Sequence, residues 1–185
     1  MLATALLLLP LQMRAGNAEV DPANYIPLFL KIVTYDEQFG AGELPRLKIG
    51  ILYDKSDPES YRQYLAVERY FEETKDLSLA EKTVAHEAVA IASLDAYIGG
   101  LSTLDYNILI VTNLRREQVK KVVVKTQMTG ILSFSLVPEH VALGVSVAVD
   151  PQRKGKTILV NLESSRREGA RFSAHLLRLC EIVGG

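Results

Sequence analysis

Three short, nearly unbroken apolar runs are spaced along this chain: Leu47–Tyr53 (LKIGILY), Tyr106–Thr112 (YNILIVT) and Ile131–Leu136 (ILSFSL). A strand apolar on both sides needs both faces of its sheet covered, which is the situation of a parallel sheet inside an α/β protein. The segments between the runs supply the cover. Ser56-Asp57-Pro58-Glu59 offers a cap, a proline for the first turn and an early acid, so 58–74 reads as a helix with Tyr61, Tyr64, Leu65, Tyr70 and Phe71 on its buried stripe. Asn113 can cap a helix over 114–127 that Gly130 ends. Upstream, Asp21-Pro22 opens a helix over 22–35 with Tyr25, Ile26, Phe29, Ile32 and Val33 at helical spacing, broken at Phe39-Gly40-Ala41-Gly42. Lys82–Ile91 reads as a further strand and Leu94–Gly100 as a short helix. Downstream, Val145–Val149 and Thr157–Leu162 flank a polar turn containing Pro151 and Gly155, the pattern of a β-hairpin. A short helix over Glu163–Glu168 closed by Gly169 follows. A last helix capped by Ser173 then places Leu176, Leu177, Cys180 and Val183 on one face. The expected fold is a three-layer α/β domain: a mostly parallel central sheet, helices on both faces, and an antiparallel C-terminal hairpin at its edge.

Residues 1–18 read differently. Leu2–Leu11 is an apolar run followed by the small residues Ala15-Gly16-Asn17-Ala18, the layout of a secretory signal peptide cleaved after Ala18. The run is too short to span a bilayer, which takes about 20 residues, and no Lys or Arg precedes it. A single domain from 19 to 185 would remain. Loss of 1–18 removes Arg14 and no acid, so the 21 basic and 22 acidic residues become 20 and 22, a net charge of −2. That balance gives no general attraction to nucleic acid. The single Cys180 excludes an internal disulfide and any cysteine metal cluster, and its place on an apolar stripe points to an inert, buried thiol.

Candidate chemistry is sparse. Asp54 and Thr112 follow the first and middle strands, where open α/β sheets bind ligands. A receiver-type phosphorylation site needs further acids and a lysine at a later strand end; Asp57 is near, but the 106–112 strand ends in Thr112-Asn113 with no acid, so a loop acid and cap is the simpler reading of Asp54. Gly99-Gly100 lacks the GxGxxG spacing of a phosphate loop. His86, His140 and His175 have no metal-ligand spacing; Glu139-His140 could form an acid–base pair, but no serine sits in a nucleophile elbow. No catalytic residue, metal or cofactor is expected. Two basic patches stand out: Arg115, Arg116, Lys120, Lys121 and Lys125 on one helix, and Arg153, Lys154 and Lys156 at the hairpin tip. Each is either a solvated face or a contact for an acidic partner or anionic headgroups.

The final forty residues carry a recognisable pattern. Thr157-Ile158-Leu159-Val160-Asn161-Leu162, the Ser-Arg-Arg-Glu-Gly run 165–169, and Phe172-Ser173-Ala174-His175-Leu176-Leu177-Arg178-Leu179 resemble the C-terminal end of YfiR-like proteins. Tyr25–Tyr35, Ile108–Val111 and Leu132–Ser135 with Gly144 resemble the family's first helix and later strands more loosely. The resemblance implies a periplasmic regulatory protein without enzymatic activity. Such a protein represses an inner-membrane diguanylate cyclase by binding its periplasmic domain, or acts as a sensory domain with a histidine kinase; dimers are typical. It implies a partner-facing surface around 157–177 with Asn161, Phe172 and Leu176 as the contact residues; Phe172 in the core is the competing reading. A small-ligand-binding sensor domain is the alternative function. The chain departs from the family at Tyr35-Asp36, where Trp-Pro is usual, and at Cys180, where Ala is usual, so redox control is not carried over.

Overall fold

The computed structural model describes residues 21–41, 46–91 and 106–184. The expected signal peptide and the expected helix over 94–100 lie outside the described residues.

Chain order runs from a 3-10 turn (Pro22–Tyr25) through α1 (Ile26–Val33), α2 (Glu37–Ala41), β1 (Arg46–Tyr53), α3 (Pro58–Glu73), β2 (Ser78–Leu79) and β3 (Lys82–Ala90). After residue 105 come β4 (Ile108–Val111), α4 (Arg116–Thr129), β5 (Leu132–Ser135), a 3-10 turn (Pro138–Leu143), β6 (Val147–Val149), β7 (Ile158–Val160), α5 (Leu162–Arg167), α6 (Ala174–Leu179) and β8 (Cys180–Ile182). All eight strands form one sheet in the order β2-β3-β1-β4-β5-β6-β7-β8. β3, β1, β4, β5 and β6 run parallel; β2 against β3 and β7 against β6 are antiparallel.

The apolar runs behave as their composition requires. Every residue of β4 and β5 is buried. Alternate residues of β1 face opposite cores: Leu47, Ile49 and Ile51 join α1 and α3 on one side, while Leu52 joins α4 on the other. The first core packs Phe29 of α1 against Phe134 of β5, with ring centroids 4.8 Å apart. The second core is built from Val119, Val122 and Val123 of α4 over Leu109 and Val111. Gly50 lets β1 and β4 approach: a Cβ there would lie 2.9 Å from Leu109 Cδ1. The α/β class, the mostly parallel sheet, the two helical layers and the antiparallel hairpin are therefore as expected.

Three details differ. The hairpin is not the edge, because β8 adds parallel to β7 and pairs Ile158 with Cys180. The last helix stops at Leu179, so Cys180 is a strand residue; the apolar positions that fit a helical face also fit a short strand packed on the same core. Finally, α2 continues over residues 39–41 of the expected break, because Asp36 accepts a hydrogen bond from Gln38 N (3.0 Å) and starts a new turn; Gly42 lies outside the described residues.

Candidate functional site

Asp57 caps α3 by accepting a hydrogen bond from Ser60 N (2.7 Å), and Pro58 occupies the first turn. This local geometry aims the N-terminal turns of α3 at the carboxyl ends of β1 and β4. β1 connects to β3 on one side and the chain then returns to β4 on the other, so β1/β4 is the topological switch point.

The switch point is filled by the protein's own side chains. Asp54 N donates to Ser60 Oγ (2.8 Å), the Ser60 hydroxyl meets Thr112 Oγ1 (2.6 Å), and Thr112 Oγ1 donates to the Leu52 carbonyl (2.9 Å). Asp54 is buried rather than a solvated loop acid. Its carboxylate accepts from Ser56 Oγ (2.6 Å), Ser56 N (2.9 Å) and Gln118 Nε2 (3.0 Å), with the Arg115 guanidinium 3.9 Å away. The Ser56 and Gln118 hydrogen bonds hold its pKa below the ordinary value against the cost of burial. Asn113 does not cap α4. Its N–H donates to Gln63 Oε1 (2.8 Å), and Arg115 takes the cap position, with Gln118 Oε1 accepting from Arg115 N (2.9 Å). No group of three metal-ligating side chains occurs among the described residues.

A cleft of about 360 Å³ opens beside the switch point, over the carboxyl ends of β5 and β6. Its lining includes Tyr25, Glu59, Arg62, Glu139, Asp150 and Arg153. Arg62 is held by Glu59 (2.7 Å) and Arg153 by Glu181. Burial and the Asp150 charge raise the Tyr25 pKa, so its hydroxyl stays protonated and able to donate. The cleft is thus polar, and its lining comes from four separate segments.

The Glu139-His140 pair does not converge. Glu139 is exposed at the cleft, whereas His140 turns inward and its Nδ1 lies 2.7 Å from Ser135 Oγ. Burial pushes the His140 pKa down to about 4, keeping the ring neutral. Ser135 is fully buried and also accepts from Val137 N (3.0 Å), so this serine and histidine fasten the loop after β5.

A second groove, of about 610 Å³, lies between α5 and α6. Leu162, Phe172 and Leu177 supply its apolar surface, and Arg166 and Arg171 its charge, with no acid in the lining. Phe172 lines this groove but is only 8% exposed, packed in the first core and paired as a β-bridge with Asp36. Leu176, 1% exposed, is wholly a core residue. Asn161 caps α5 by accepting from Ser164 N (3.0 Å), while its Nδ2 donates to the Val141 carbonyl (3.1 Å). Of the three expected contact residues, Leu176 and most of Phe172 are withdrawn from the surface. In the lining of the groove itself, Arg166 and Arg171 are exposed and Leu177 is half-buried.

Sequence reasoning passed over Glu168. This carboxylate is buried at the end of α5 and accepts from Thr126 Oγ1 (2.5 Å), Ser133 N (2.8 Å), Ser133 Oγ (2.7 Å) and Ser146 Oγ (2.5 Å). Burial raises its pKa despite those four bonds. The alternating Leu-Ser-Phe-Ser of β5 was the available hint, since serines in a wholly buried strand need partners. Cys180 is buried as expected, and burial lifts its thiol pKa to about 11.

The fold recurs in solved structures. The chain is similar to the ligand-free, open structure of CD0873, a substrate binding protein with adhesive properties from Clostridium difficile, at 14% identity and a TM-score of 0.58 over 86% of this chain and 59% of that one. It is similar to an ABC domain in complex with L-Trp from Streptococcus pneumonia, at 15% identity and a TM-score of 0.55 over 83% and 58%. It is also similar to a conserved domain protein from Vibrio cholerae, at 10% identity and a TM-score of 0.58 over 87% and 59%. At these identities the likeness is one of fold, and it spans about three fifths of each of those chains. No family model matches the chain, and no curated protein matches it. Among the described residues no helix is long and apolar enough to cross a membrane.

Proposed function

We propose that this chain is an exported, non-enzymatic sensor domain that binds a small polar ligand and reports to a membrane signalling protein such as a histidine kinase. The observation that carries the reading is the cleft at the carboxyl ends of β5 and β6, where Tyr25, Glu59, Glu139 and Asp150 converge from different segments. Ligands of open α/β sheets bind at this end of the sheet. The likeness to substrate-binding folds, one of them holding L-Trp, supports the same reading. A thermal-shift screen with amino acids and other small polar metabolites tests it. A true ligand at a hundred times its Kd stabilises by about 2.7 kcal/mol. That shift should vanish in Asp150→Ala and Glu139→Ala. A screen without any shift, or a shift that both variants keep, would remove the reading.

A second reading is favoured by the α5–α6 groove. As a YfiR-like repressor in the periplasm, dimeric as the family resemblance implies, the chain would dock there onto the periplasmic domain of a diguanylate cyclase. Arg166 and Arg171 would meet acidic side chains, and Leu162 and Leu177 an apolar one. Reconstitution with a cyclase encoded beside this chain would show lowered cyclase output. Arg166→Glu with Arg171→Glu, both at exposed side chains, should restore that output without changing the thermal midpoint; continued repression by the double variant would count against the groove.

A further inference from the structure

The two helical layers differ in charge. α3 carries four acids and two bases, whereas α4 carries four bases and one acid. The outer side of α4 also holds two of the large apolar side chains that the fold leaves in water: Val124, 59% exposed, and Met128, 76% exposed. They stand one turn apart on the same side, downstream of Arg116, Lys120 and Lys121. The opposite side of the helix, with Val119, Val122, Val123 and Thr126, is fully committed to the core. Neither packing nor capping therefore explains why a valine and a methionine project from the basic side.

We infer that the exposed face of α4 is a docking surface for an anionic phospholipid bilayer, lying flat with Val124 and Met128 entering between headgroups and the basic side chains at phosphate level. Charge complementarity selects an anionic surface, because Arg116 and Lys125 form no ion pair among the described residues and Lys120 is tied only to the exposed Glu117 at 3.4 Å. The shape favours a membrane over an acidic protein. The face is a convex helix side with two protruding apolar groups, and neither the cleft nor the groove described above is lined by it. Long basic side chains can lay their stems along buried apolar neighbours while the charged ends stay with the phosphates. The acidic α3 layer on the far side of the sheet would orient the molecule with α4 toward the lipid.

Cosedimentation of the full chain with vesicles tests the inference. Vesicles of phosphatidylcholine with 30% phosphatidylglycerol (about that fraction, chosen to give a strong surface potential) should bind the chain at low salt. Pure phosphatidylcholine should not, and binding should weaken as salt screens the surface. Arg116→Ala with Lys125→Ala should weaken binding about twenty-five-fold, at about fivefold for each cation removed. Met128→Gln should weaken it further while leaving the salt dependence in place. Arg116 and Met128 are exposed, Lys125 is half-buried at the margin, and none belongs to the buried residues of α4, so the thermal midpoint should not move. Absence of binding to the anionic vesicles, or equal binding by the double variant, overturns the inference. Loss of a protein partner by the double variant without any vesicle binding would overturn it in favour of an acidic protein surface.

Discussion

Replacing Glu168 by alanine should be among the most damaging single changes in this fold. The carboxylate joins three elements: Thr126 of α4, Ser133 of β5 and Ser146 just before β6. Truncation leaves hydroxyls that can turn toward one another, but the Ser133 N–H is fixed by the backbone and loses its acceptor. A stranded buried donor costs about 1–3 kcal/mol, and the space left by the missing side chain adds about 1–2 kcal/mol. The sum, about 2–5 kcal/mol, corresponds to about 4–20 °C in thermal midpoint for a chain of this length. Glu168→Gln should cost much less at neutral pH. Its amide oxygen still accepts from Ser133 N, the hydroxyls can reverse to accept from its NH₂, and a buried charge is removed. The pH dependence has a definite sign. Burial raises the folded-state pKa above the usual 4.5, so the stabilisation from the protonated form is present below that value and is lost as pH rises through the folded pKa. The glutamine variant lacks this loss, so its stability relative to the parent should improve with rising pH. Calorimetry or urea unfolding of the three proteins, as a pH series from the usual carboxyl value of 4.5 upward, measures both effects. Equal midpoints for the alanine and glutamine variants would refute the reasoning.

His140 has the opposite pH signature. Burial lowers its pKa from 6.5 to about 4, so the stabilisation is present above 6.5 and is lost as pH falls toward 4. His140→Gln should flatten that part of the unfolding curve. Gly144→Ala should destabilise by about 1–3 kcal/mol, because its φ is +108° and a Cβ would meet Val123 Cγ1 at 2.8 Å; urea midpoints will show whether it does. Cys180 should resist thiol reagents at pH 8 in the native protein and react at once in denaturant, because burial lifts its pKa to about 11.

Much of the architecture was legible because β1, β4 and β5 are apolar on both faces and the helices between them carry local punctuation at Asp57-Pro58 and Gly130. Those signals act over a few residues and survive tertiary packing. β8 was not legible: Leu176, Leu177, Cys180 and Val183 suit a helical face, and only the open side of β7 makes a strand of 180–182. The site was harder for the same reason. Asp54, Ser60, Thr112 and Gln118 are up to 64 residues apart and become one network only when β1 and β4 pair. Phe172 shows the limit from the other side: its position in a linker left exposure open, and the β-bridge to Asp36 that buries it has no local sequence signal.

That bridge also bears on when the protein can fold. Arg171 N donates to Asp36 Oδ1 across 135 residues, Glu37 N to the Arg171 carbonyl, and Ser173 N to the Tyr35 carbonyl. The segment around α1 is therefore fastened by residues synthesised 135 positions after it. Contacts of such long sequence separation close late. During translation α1 would be left without these partners, and the chain would remain threadable until residues 171–173 emerge.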